Sequence, residues 1–126
     1  MARLFLDANY FFDLVEKRRE IDKEQFVGHH LYVSHLSLAI LAYLYKYKMP
    51  SKKFGETFNA FTKAPLTDKI GLKALYGPTR DYEDNIQLHS ATYAECNYFI
   101  TNEKDLWRLK AFGEVIIVPE VPEEFR

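Results

Sequence analysis

Acidic residues stand at three places in this chain, after two apolar runs and at the start of a helical stretch. The first apolar run, Arg3-Leu4-Phe5-Leu6, closes on Asp7 and is followed by Ala8-Asn9-Tyr10-Phe11-Phe12. A buried carboxylate is costly unless something pairs with it, so Asp7 calls for a partner elsewhere in the chain. The second cluster is Asp81-Tyr82-Glu83-Asp84, at the start of a helical stretch. The third is Thr101-Asn102-Glu103-Lys104-Asp105-Leu106, directly after Tyr98-Phe99-Ile100. Acids drawn together from three such places would form a set of oxygen ligands at a strand edge.

Each acid also has an ordinary structural reading. Acids near a helix N-terminus stabilise it by ~0.3–1 kcal/mol, which suffices for Asp81 and Glu83. Asp84 shares a helix face with Gln87, Leu88 and Ala91, at i, i+3, i+4 and i+7, so its carboxylate can point into the same cleft as Asp7. Thr101 and Asn102 suit a loop or a cap.

These acids need elements to carry them. The spacing predicts a strand over residues 3–7 and a helix over 9–18, then a short helix over 22–27 capped by Asp22. Leu31-Tyr32-Val33 reads as a strand. Ser34 stands at the N-cap of an apolar helix, His35 to Leu44, which is expected to be enclosed on several sides. Pro50 is expected to open the next helix, with Phe54, Phe58 and Phe61 as its buried stripe. Pro65-Leu66-Thr67 reads as a weak strand or connector. Helices follow over 69–76, ended by Gly77-Pro78, and over 81–95. Tyr98-Phe99-Ile100 is a strand, Asp105 to Lys110 a short helix or turn, and Val115-Ile116-Ile117-Val118 the last strand. Strands alternating with helices predict an α/β/α sandwich of three layers with a mainly parallel sheet. Such sheets gather ligands at the carboxyl ends of their strands, near a topological switch point. Asp7 and Thr101-Asn102 both fall at such ends.

Composition sets the outer limits. The chain has 126 residues, 48% hydrophobic and 16% aromatic, with a net charge of −1. That length suits one domain spanning 1–126, and the apolar content excludes a disordered chain. No global basic field announces a nucleic-acid partner. Cys96 is the single cysteine, so there is no internal disulfide, and a reducing setting is expected. Asp7 and Asp13 interrupt the first apolar stretch, against a signal peptide. Leu36 to Leu44 falls well short of the ~20 residues that span a bilayer. A soluble, cytoplasmic protein is expected.

The sequence resembles PIN-domain proteins, in particular the short single-domain toxins of the VapC type. Four segments carry the resemblance: Leu6-Asp7-Ala8-Asn9; Val33-Ser34-His35-Leu36-Ser37-Leu38-Ala39; Glu83-Asp84-Asn85-Ile86-Gln87 with Ala91; and Ile100-Thr101-Asn102-Glu103-Lys104-Asp105-Leu106. The resemblance implies a metal-dependent endoribonuclease on a compact α/β/α fold, whose acids hold Mg²⁺ or Mn²⁺. Mg²⁺ takes oxygen ligands and few protein carboxylates. The residues implied are Asp7, Asp84 and Asp105 as metal-binding and catalytic acids, with Asn9, Ser34, Thr101 and Asn102 in support. An RNA substrate, homodimerisation and a cognate antitoxin are implied as well.

One position departs from the pattern. Where the family places a glutamate in its second motif, this chain has Ile40, in Ser37-Leu38-Ala39-Ile40-Leu41. Isoleucine cannot bind a metal. The alternative expectation is therefore a catalytically impaired PIN-like domain that binds RNA or a protein. His35, near the start of the same helix, is a candidate ligand or RNA contact, with a solvent-facing or core-satisfied histidine as the plainer reading; Asp13 matches a frequent family position, and surface solvation or a salt bridge accounts for it equally well. Basic runs at Lys17-Arg18-Arg19, Lys46 with Lys48, and Lys52-Lys53 are candidate phosphate contacts or solvated helix ends. Tyr43, Tyr45 and Tyr47 are candidates for base stacking or for packing.

Overall fold

The computed structural model describes residues 1–126. Strand β1 (Arg3–Leu6) is buried on both faces. Its side chains alternate across the sheet. Leu4 and Leu6 enter one core with Tyr10, Phe11 and Phe12 of α1 (Ala8–Val15). Phe5 enters a second core on the other face, stacked on Phe99 with ring centroids 5.5 Å apart.

Strand β2 (His30–Ser34) pairs parallel to β1 and leads into α2 (His35–Leu44), with Ser34 Oγ accepting from Leu36 N at 3.2 Å as the N-cap. Helix α3 (Lys52–Ala60) is followed by β3 (Thr62–Ala64), parallel to β2. Helix α4 (Asp68–Ala74) packs on α5 (Tyr82–Tyr93), largely through Ile70, Ala74 and Ile86. Strand β4 (Tyr98–Ile100) pairs parallel to the other edge of β1. After α6 (Lys104–Trp107), β5 (Ala111–Phe112) turns back antiparallel onto β6 (Val115–Val118), which runs parallel to β4.

The strand order is β3-β2-β1-β4-β6-β5. The chain builds outward from β1 to β2 and β3, then returns to place β4 on the opposite side. The β1/β4 boundary is thus the topological switch point, where a crevice opens beyond the strand ends. Helices α1 and α2 cover one face of the sheet, and Leu88 and Ala91 of α5 cover the other. This is the three-layer α/β arrangement with a mainly parallel sheet that the alternating pattern predicts. No helix is long and apolar enough to cross a membrane.

Several elements differ from expectation. Helix α2 buries only Ser37, Leu38 and Leu41; Tyr43 and Leu44 face solvent. Its uniform hydropathy suggested enclosure, but only one stripe of a helix lying on a sheet meets the core. Helix α3 starts at Lys52, capped by Ser51, and buries none of its residues. Of the expected phenylalanine stripe, Phe61 is buried, Phe54 half-buried and Phe58 exposed beneath the Lys63 ammonium. The edge strand is Thr62–Ala64; of the two readings of Pro65-Leu66-Thr67 the connector holds, because proline lacks the N–H a ladder requires. Helix α1 ends at Val15, three residues early, where Asp13 is held by Arg18 and Arg19. Strand β5 was not anticipated; two residues carry too little periodicity to register.

Candidate metal centre

The site sits at the switch point. Asp7 occupies the N-cap position of α1, but its side chain makes no cap hydrogen bond. It is 1% exposed, and its Oδ2 accepts from the hydroxyl of Thr101 at 2.7 Å. Thr101, fully buried beyond β4, also accepts from Glu103 N at 3.0 Å. Its carbonyl takes the indole N–H of Trp107 at 2.8 Å. One threonine therefore fixes both the Asp7 carboxylate and the backbone that carries Glu103.

Glu103 repeats the Asp7 arrangement: it is the N-cap of α6 and makes no side-chain cap hydrogen bond. Its Oε1 accepts from Asn9 Nδ2 at 3.3 Å. Asp84 comes from the first turn of α5, where Asp81 does the capping, accepting from Asp84 N at 2.9 Å. Carboxylate oxygens of Asp7, Asp84 and Glu103 all lie within 4.8 Å of one another.

Three acids so close oppose one another's ionisation. Burial pushes the Asp7 carboxyl up to about 6; the Thr101 hydrogen bond works against the rise and the Glu103 charge adds to it. A hydrogen bond to a charged group contributes ~1.5–3 kcal/mol; here desolvation outweighs it. Burial likewise pushes Asp84 up to about 8, with Glu103, Asp7 and Asp81 adding repulsion. Burial and Asp81 raise Glu83 as well. The positive ends of α1 and α5 offset part of this charge, and the remainder favours a cation.

Gln87, 1% exposed on α5, borders the group. Its Oε1 accepts from Ala8 N at 2.6 Å. Its Nε2 is buried without a hydrogen-bond partner, on the side of the Asp7 carboxylate, whose ionised form it favours.

The structure brings Asp7 and Asp84 together, with Thr101 and Asn9 beside them. It does not bring Asp105. That side chain is 88% exposed and pairs with Arg108 at 3.4 Å. Glu103 provides the third carboxylate. With Glu103 at the cap, the buried Leu106 three residues on shares its inward side, and Asp105 points outward. Asn102 is exposed on the loop, and Ser34 is buried as the cap of α2. Ile40 is half-buried against the α1 side of the core, an apolar contact and not part of the acid group. His35 is exposed, edge-on to Phe58. Asp13 is bound by two arginines, and Cys96 is buried, its thiol pushed up to about 12 by burial. The sequence places Glu103 in the third acidic cluster but gives no reason to prefer it over Asp105, and it marks Gln87 only as sharing the Asp84 face. The signal for Gln87 was present, since it lies one turn after Asp84 on the same face.

The fold and this site define a three-layer α/β protein with a mainly parallel sheet and a three-carboxylate crevice at its switch point. The structure aligns with a chain of VapBC2 from Rickettsia felis, solved bound to a DNA fragment from their promoter. The TM-score is 0.65 at 12% identity, over 92% of this chain and 97% of that one. At that identity the likeness is one of fold. Neither models of known protein families nor curated proteins give a match to the sequence.

Proposed function

We propose that this chain is a metal-dependent endoribonuclease of the VapC toxin class. The observation that carries the reading is the convergence of Asp7, Asp84 and Glu103 within 4.8 Å at the switch point of a PIN-like sheet. The donor set fits Mg²⁺ or Mn²⁺, which are oxygen-ligated and need few carboxylates. The raised Asp7 and Asp84 carboxyls point the same way: a group that holds protons for want of positive charge releases them to a cation.

Asp7, Asp84 and Glu103 would hold the ion. When bound, a divalent cation acidifies a water and offsets charge on the phosphodiester oxygens. The chain's own part is positioning. Thr101 orients Asp7, Asn9 orients Glu103, and the N-terminus of α5 presents Asp84. Without a cation, the acids would repel an RNA phosphate. An RNA substrate, a homodimer and an antitoxin partner belong to this reading. The fold likeness to VapBC2 supports the last of these.

A second reading is favoured by Ile40. Its packing against the core leaves the second-motif position without an acid, and the domain would then bind RNA or a protein without cutting. Cleavage of a labelled single-stranded RNA in EDTA, Mg²⁺ and Mn²⁺ separates the two. The nuclease reading expects metal-dependent cleavage by the wild type, lost in Asp7→Asn. Silence of the wild type in both metals, with activity gained in Ile40→Glu, overturns it in favour of the second.

A further inference from the structure

Among buried side-chain nitrogens and oxygens, the Gln87 amide nitrogen is the one without a hydrogen-bond partner. An orphaned buried donor is costly, so its retention calls for a reason. The orientation of the amide is fixed. Ala8 N–H is a donor and must face an oxygen, so Oε1 takes that place at 2.6 Å and Nε2 is held on the other side. Gln87 acts on the Asp7 carboxylate and favours its ionised form, which sets the free N–H on the Asp7 side. An amide nitrogen has no lone pair to give a cation, so Gln87 is not a ligand through that atom.

We propose that Gln87 is a positioning residue for the cation site, its Nε2–H reserved for the Asp7 carboxylate in the ion-bound state. Thr101 already holds Asp7 Oδ2. A second donor would restrain the carboxylate from rotating and present one fixed oxygen to the ion. The same amide ties Ala8, the first residue of α1, to α5, which carries Asp84. Gln87 thereby sets the separation of the two acids as well as the orientation of one. This inference rests on the cation reading of the site.

The test is Mn²⁺ affinity, read from the loss of the free-ion electron paramagnetic resonance signal on titration into folded protein. Gln87→Met removes the amide at similar volume. Ser90→Ala, one turn along α5, removes a different buried hydrogen bond, from Ser90 Oγ to Ile86 O. Outer-shell partners of metal ligands typically contribute ~10–100-fold to affinity. The expected result is a loss of that size in Gln87→Met, with Ser90→Ala within about twofold of wild type. Should Gln87→Met fail to fold, Gln87→Asn, which withdraws the amide by one methylene, is expected to weaken binding in the same direction. Equal affinity in wild type and the Gln87 variant overturns the inference and leaves the cation reading intact. Equal losses in the Gln87 and Ser90 variants also overturn it, since the effect is then general loosening of α5. A wild type that binds no Mn²⁺ overturns both the inference and the cation reading.

Discussion

The Thr101 hydroxyl donates to Asp7 Oδ2 at 2.7 Å, across 94 residues of sequence and between the ends of two adjacent parallel strands. Thr101 is fully buried and also receives Glu103 N–H, so one side chain organises two of the three acids. Thr101→Val keeps the shape and removes the hydroxyl. It is expected to weaken Mn²⁺ binding ~10–100-fold and to lower stability by ~1–3 kcal/mol, because Glu103 N–H loses its acceptor. Calorimetric metal titration and urea denaturation measure the two effects separately.

Glu103 and Asp105 are two residues apart and face opposite ways. Glu103→Gln is expected to abolish metal-dependent RNA cleavage, and Asp105→Asn to leave the rate within about twofold. A gel assay of the two variants checks this. Equal losses would show that the exposed Asp105, now paired with Arg108, swings inward to take part.

The acid group destabilises the metal-free fold at neutral pH. Asp84 has its carboxyl pushed up to about 8 against an ordinary 3.8, and Asp7 up to about 6. Between those values the folded chain holds protons that the unfolded chain releases. Stability from these groups is therefore full below about pH 4 and is lost as pH rises toward 8. In EDTA, Asp84→Asn is expected to have a higher Tm than wild type at pH 8, with the gap closing as pH falls toward 5. Saturating Mn²⁺ should raise the wild-type Tm and leave that of Asp84→Asn nearly unchanged. Thermal melts across that pH range provide the check.

The aromatic stack behind the site couples the core to the acids. Phe5 and Phe99 precede Leu6-Asp7 and Ile100-Thr101 on neighbouring strands, and both are fully buried. Phe99→Ala is expected to cost ~3–5 kcal/mol and, in whatever fraction stays folded, to weaken Mn²⁺ binding by loosening the Asp7–Thr101 contact. A Phe99→Leu variant, with a smaller cavity, should retain more of both. Denaturation and metal titration on the pair test the coupling.

The alternation of apolar strands with helices was legible because a doubly covered sheet writes both faces into each strand. Leu4 and Leu6 serve one core and Phe5 the other, so the run reads as continuously apolar. Ser34, Asp22, Ser51 and Thr67 cap helices by local hydrogen bonds to backbone two or three residues on. The first two of these were readable from the chain alone. Helix α2 was misleading for the opposite reason. Its hydropathy is nearly uniform, and nothing local says that Tyr43 and Leu44 look outward while Leu38 and Leu41 look in.

The candidate site divides along the same line. The sequence alone determined that carboxylates close the first strand and open the α5 helix, because strand ends and helix starts are set by nearby residues. It also placed Ile40 where the resemblance expects a glutamate. Only the tertiary structure decided that Glu103, and not Asp105, completes the group. The deciding quantity is the rotation of α6 about its axis, fixed when Leu106 is buried and Trp107 bonds the Thr101 carbonyl. The Gln87–Ala8 contact spans 79 residues, and it exists only because the strand order sets α5 beside the start of α1.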